Sequence, residues 1–141
     1  MGVNDLVSGR LVKLGASKVT ISSATTTNFD FGTPNDLDLA NVSGYRAGDR
    51  VLVVFSATSA GTTDTVSWSV QDADDSAGSI GTPATAVTDG TLSGGTGDEE
   101  AHTFVKVQPG RPWLRCRVTS DGATDTFVTK CIVYAVPRSG V

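Results

Sequence analysis

TVSWSVQDADDSAG, residues 65–78, opens as one kind of structure and closes as another. From Val66 the residues alternate strictly: Val66, Trp68 and Val70 point one way, Ser67, Ser69 and Gln71 the other. A period of two with β-branched and aromatic residues on one side is the pattern of a half-buried β-strand. Three carboxylates follow within four positions, Asp72, Asp74 and Asp75. Asp72-x-Asp74-x-Ser76 resembles the start of a calcium loop. However, the glycine falls at 78 instead of 77, position 83 is Pro where a bidentate Glu is needed, and no helix flanks the segment. Asp and Ser bond their own backbone in turns. The stretch therefore reads as a core-facing strand ending near Asp72 in a solvated acidic turn, and no metal ligands are assigned.

Outward from this strand the same grammar continues. Residues 49–58, DRVLVVFSAT, are apolar on both faces from Val51 to Phe55, which predicts a central strand. Residues 10–14 and 18–23 read as two short strands around Gly15, and 29–43 as loop with a short extended piece. Residues 79–100 are the least ordered by composition, with Leu92 nearly alone and Ser93-Gly94-Gly95-Thr96-Gly97 a loop. Order resumes at 101–108, and Pro109-Gly110 makes a turn. Residues 113–119 (WLRCRVT) and 126–136 (TFVTKCIVYAV) read as a hairpin in which Cys116 faces Cys131 and Leu114 faces Val133. Short strands every 8–15 residues, with no sustained helical period, predict an all-β fold: an antiparallel β-sandwich or small jelly-roll-like barrel. Its predicted core is Val51, Val53, Phe55, Trp68, Val70, Leu114, Cys116, Cys131 and Val133. Residues 28–141 form the sandwich domain, and 1–27 an N-terminal arm or short hairpin.

The chain has 141 residues, enough for a single core. Eleven Lys and Arg against fifteen Asp and Glu give a net charge of −4, which disfavours nucleic acid and anionic membrane surfaces as partners. The N-terminus MGVNDLVSGRLVKLG has no apolar core of a signal peptide, and Leu6 stands where myristoylation needs Ser or Thr. Asn41-Val42-Ser43 matches a glycosylation sequon, which has no meaning without secretion. The expectation is a protein made and used without export, and in that setting Cys116 and Cys131 read as buried thiols, although their geometry also allows a disulfide.

Residues suited to chemistry are scattered. Asp98-Glu99-Glu100 borders a Gly-rich loop, and nothing sets it at a fixed separation from a second carboxylate. His102 is the only histidine, no G-x-S-x-G elbow presents a nucleophile, and one histidine with two separated cysteines does not make a zinc site. Trp113 lies opposite in phase to Leu114 and Cys116, so it is the better of the two tryptophans for a contact surface. No enzyme and no cofactor is expected.

The order of the pieces is the remaining signal. RVLVVFSAT leads through Ser59-Ala60-Gly61-Thr62-Thr63-Asp64-Thr65 to VSWSVQDADDSAG. A Gly-rich middle, a Pro-Gly turn, WLRCRVT and a long apolar strand ending at Pro137 follow. Over residues 28–137 this resembles the capsid decoration (cement) proteins of tailed bacteriophages. The resemblance implies a structural virion protein on the capsid exterior, assembled in the host cytoplasm. Its partners would be the major capsid protein and further copies of itself, as a homotrimer at three-fold and quasi-three-fold sites. Candidate capsid or subunit contacts are Val3, Leu6, Val7, Arg10, Lys13, Lys18, Arg46 and Trp113, with the arm adding a strand to a neighbour or to the capsid. The alternatives are a carbohydrate- or cell-binding appendage module, with Trp113 and the acid-rich loops as its contact surface, and a neck or tail structural protein.

Overall fold

A computed structural model of the chain describes residues 11–22, 24–32, 36–42, 46–59, 64–83, 88–92, 98–122 and 125–137. Its strands are β1 (Val12–Ser22), β2 (Thr26–Asn28), β3 (Leu37–Asp38), β4 (Arg50–Ser59), β5 (Val66–Ala73), β6 (Asp75–Ser76), β7 (Ser79–Ile80), β8 (Thr88–Leu92), β9 (Asp98–Lys106), β10 (Trp113–Ser120) and β11 (Thr126–Ala135). One 3₁₀ turn, Leu39–Asn41, is capped by the Asp38 carboxylate, which accepts from the Ala40 N–H.

The fold is an antiparallel β-sandwich. Sheet A has the order β1-β11-β4-β9; sheet B has β2-β10-β5-β8, with β3 also paired to β10. Strand alternation buries one face of each sheet against the other. In β5, Val66, Trp68 and Val70 point inward, and in β4 Val51, Val53 and Phe55 do so; all six are buried. Phe55 stacks on Trp68 at 4.9 Å between ring centroids, and Phe29 packs on Phe55 at 5.9 Å. These aromatics join the two sheets at the centre of the core. Leu114, Cys116, Cys131 and Val133 are buried around them.

Three expectations are corrected. The strands at 113–119 and 126–136 do not form a hairpin: β10 pairs with β5 and β2 in sheet B, and β11 with β4 and β1 in sheet A. Both strands turn an apolar face to the core, and that face is satisfied equally by lying side by side or by facing each other across a core. β10 and β11 lie in different sheets, so Cys116 and Cys131 meet through the interior and not across adjacent strands. Both are free thiols. Burial pushes the Cys131 thiol far up, and its hydrogen bond with Cys116 pushes in the same direction.

The second correction concerns the N-terminal segment. Where two strands were expected at 10–14 and 18–23, the described residues Val12–Ser22 form one strand, β1, and it is not a free arm. It runs antiparallel to β11 from Val12 to Ser22, with a register shift between Lys13 and Gly15. Val12, Leu14 and Val19 pack on the core and Ile21 is buried in it. The bulge resets the alternation, so that both halves of the strand turn their apolar residues inward. Third, the sparse region 79–100 contributes β8, which pairs with β5 from Val66↔Leu92 to Val70↔Thr88.

Candidate functional site

The acidic stretch that follows β5 is built into the fold. Asp72 is buried on the inward side of β5, where its Oδ1 accepts from Arg111 Nε at 2.7 Å; its backbone carbonyl accepts from Nη2 of the same guanidinium at 2.9 Å. Asp75 opens the two-residue hairpin β6-β7, which turns at Ala77 and Gly78, both at positive φ. Asp75 Oδ1 accepts from Trp113 Nε1 at 3.0 Å, and Oδ2 accepts from the Gly78 N–H at 3.0 Å. The indole donor, and after it the Gly78 amide, hold the Asp75 carboxyl below its ordinary range. The Asp74 carbonyl accepts from the Gly81 N–H at 2.8 Å. The three acids thus have three separate structural employments. Among the described residues, no group of three or more His, Cys, Asp or Glu could hold a metal ion.

Trp113, expected as a contact residue, is buried to 1% exposure. Its phase is the outward one shared with Arg115, Arg117 and Thr119, but phase does not decide exposure here. β3 pairs with it on one side (Trp113↔Asp38), β5 on the other (Trp113↔Ala73), and Asp75 of the hairpin takes its indole N–H. No surface contact by Trp113 is left to argue.

Other charges are also committed inside the chain. Arg115 makes a two-pronged pair with Asp36, Nε to Oδ1 at 3.0 Å and Nη2 to Oδ2 at 3.1 Å. The hydrogen bond to Asp36 raises the Arg115 guanidinium pKa further. Asp121 Oδ2 accepts from the hydroxyls of Thr65 and Ser67 at 2.9 and 2.7 Å. The backbone N–H of Asp64 donates to the Asp125 carboxylate at 3.0 Å, and that of Asp125 donates to the Asp64 carboxylate at 2.8 Å. Asp36 and this Asp64–Asp125 bracket were not singled out from sequence, because carboxylates on well-separated loops carry no spacing signal.

The two outer sheet faces differ in kind. On sheet B, Thr26, Thr119, Ser67 and Thr91 form one cross-strand row, and Asn28, Arg117, Ser69 and Asp89 the next. A shallow groove of about 310 Å³ runs over Ser67, Ser69, Asp89, Thr91 and Thr119. Thr26 and Thr119 hydroxyls are bonded at 2.8 Å, and Arg117 donates to Gln71 Oε1 at 3.4 Å. On sheet A the outer face is apolar: Leu52, Val54, Ile132 and Tyr134 are half-buried at its centre, and Phe104 is 52% exposed. Arg50 lies 5.4 Å over the Phe104 ring, and His102 meets that ring edge-on at 6.4 Å. The run RVLVVFS is apolar on both sides because one side meets the core and the other forms this open face, so its sequence signal was that of a strand covered twice.

The remaining candidate contacts separate. Lys13 and Lys18 are exposed along β1. Arg46 is exposed beside a cleft of about 320 Å³, lined with Leu39, Val107, Pro112 and Arg111. Val3, Leu6, Val7 and Arg10 lie outside the described residues.

No protein-family model matches the chain, and no curated protein matches it. Solved structures do. The chain is similar to the enzymatically active domain of tailspike protein 4 of bacteriophage CBA120, at 14% identity and a TM-score of 0.57. The match covers 93% of this chain and 20% of that one, so the likeness spans about a fifth of the tailspike chain. A chain of infectious bursal disease virus, Gx strain, gives 9% identity and a TM-score of 0.53 over 94% of this chain and 34% of that one. The C-terminal family 22 carbohydrate binding module of Clostridium thermocellum Xyn10B gives 13% identity and a TM-score of 0.51, over 94% and 85%. At these identities the likeness is one of fold: a β-sandwich found in viral chains and in carbohydrate-binding modules alike.

Proposed function

We propose that the chain is a structural virion protein of a tailed phage that decorates and stabilises the outside of the capsid. The observation that carries this reading is the division of labour on the surface. The carboxylates of Asp36, Asp72 and Asp75 are engaged in holding the sandwich together, through Arg115, Arg111 and Trp113. What the fold offers outward is two broad sheet faces, one apolar and one polar. Such a block works by contact: many copies, each binding the assembled shell and not its free subunits, stabilise it by mass action. The sandwich of a phage tailspike domain and of a viral chain supports the reading at the level of fold. Seating at three-fold and quasi-three-fold sites rests on the sequence resemblance alone. The test is cosedimentation of the purified protein with shells of its phage before and after expansion. Saturable binding to expanded shells, with a raised shell melting temperature, supports decoration; absence of binding to either form rejects it.

One observation favours a second reading. The polar face of sheet B, with a hydroxyl-lined groove over Ser67, Ser69, Thr91 and Thr119 and the carboxylate of Asp89, has donors and acceptors suited to sugar hydroxyls. A carbohydrate binding module shares the fold. In this version the contact residues are those hydroxyls, and Trp113 is not among them. A glycan array showing saturable binding that Asp89→Ala abolishes would favour it.

A further inference from the structure

The outer face of sheet A is laid out in rows that the strand register fixes. Phe104, Leu52, Tyr134 and Lys13 make one row; His102, Val54, Ile132 and Ala16 the next; Glu100, Ser56, Lys130 and Lys18 the third. The centre is apolar, and the two margins differ in sign. Asp98 and Glu100 lie on the β9 edge, while Lys18 and Lys130 lie on the β1-β11 side, in the same row as Glu100. Glu100, Lys18 and Lys130 are exposed, and none has an ion-pair partner among the described residues.

We infer that this face is the contact between two copies of the chain, related by a two-fold axis parallel to the strands. Such a rotation lays β9 of one copy over β1 of the other and β4 over β11, and it keeps each row at its own height. Val54 then meets Ile132 of the second copy, Leu52 meets Tyr134, and Glu100 meets Lys18. Each contact occurs twice, as an isologous interface requires. Two sheets packed face to face keep their strands within about 30° of each other, so the arrangement repeats the sandwich's own packing. No row sets like charges against each other, because Arg50 and Lys106 lie beyond Lys13 at the rim.

The size of the face sets the strength. Four strands about 4.8 Å apart and some seven residues of length give roughly 400 Å² of flat surface per copy. Two copies together bury about 800 Å², below the ~1,000 Å² of a standing specific interface, so a weak and reversible association is expected. The inference goes beyond the virion reading, since a chain that binds no capsid can still dimerise. It also departs from the trimer that the sequence resemblance implies.

The test is sedimentation velocity on the full chain, from about 1 to 200 µM. A reversible monomer–dimer equilibrium is expected. Glu100→Lys and Lys18→Glu should each weaken it about tenfold, and the double charge swap should restore it. Both positions are exposed, and thermal melting of each variant checks that it is folded. A chain that stays monomeric throughout, or forms trimers, overturns the inference. So does a dimer that the single charge changes leave intact, or one that the double swap fails to restore.

Discussion

Trp113 Nε1 donates to Asp75 Oδ1 at 3.0 Å, and this bond joins the end of β10 to the hairpin that follows β5. It turns an outward-phased tryptophan into a buried one. Because the bond is strongest to the ionised carboxylate, it makes the hairpin sensitive to acid. The folded pKa of Asp75 lies below its unfolded value, chiefly through the indole donor and next through the Gly78 amide. Its contribution is therefore complete above the unfolded carboxylate range and is lost as the pH falls through the folded pKa. The Trp113 indole N–H should be protected from hydrogen exchange at neutral pH and lose that protection on acidification. In Asp75→Asn the pH dependence should flatten; an unchanged profile would dissociate Asp75 from the indole.

The turn of the same hairpin is open to improvement. Ala77 sits at φ 53° before Gly78 at φ 84°, a two-residue turn in which Asn-Gly is the favoured pair. A left-handed alanine costs about 1 kcal/mol or more. Ala77→Asn should stabilise the protein by roughly 0.5–1 kcal/mol, seen as a rise of a few degrees in melting temperature.

Among the described residues, Arg111 is the guanidinium paired with Asp72, whose side chain is 6% exposed. Arg111→Ala leaves that carboxylate buried and unpaired. Removing one partner of a buried pair costs 3–5 kcal/mol; with the Arg111 side chain 32% exposed, about 2 kcal/mol is expected. Denaturant titration of the variant measures it, and a loss under ~0.5 kcal/mol would mean that water replaces the guanidinium at little cost.

The two cysteines should be silent in the folded protein. Cys131 is fully buried and its thiol is pushed up, so the reactive thiolate is suppressed. A thiol reagent such as DTNB should label neither cysteine in native conditions and both after denaturation. Rapid native labelling would show that the core opens.

How much of this was legible beforehand depends on what sets each feature. The strand class was, because alternation in 65–72 and the turn residues between segments act locally. The partner of each strand was not. WLRCRVT and TFVTKCIVYAV each present the same core face whether they lie side by side or face to face, and only the tertiary crossing separates the two. Trp113 shows the same limit from the other side: its phase was readable, but the hairpin and β3 that cover it are set by distant contacts. The outer face of sheet A was hidden in plain view, since Leu52 and Val54 read as a second buried side. Candidate surface residues chosen by charge, such as Lys13 and Lys18, did fall on that sheet, whereas Val3, Leu6, Val7 and Arg10 lie outside the described residues.

The central claim, a structural protein of the virion, is tested most directly by counting copies. Quantitative mass spectrometry of purified particles of the phage that encodes the chain, normalised to the major capsid protein, gives that number. The account predicts hundreds of copies per particle, removable without loss of the capsid protein itself. Absence from the particle, or a count of six or twelve, would contradict capsid decoration.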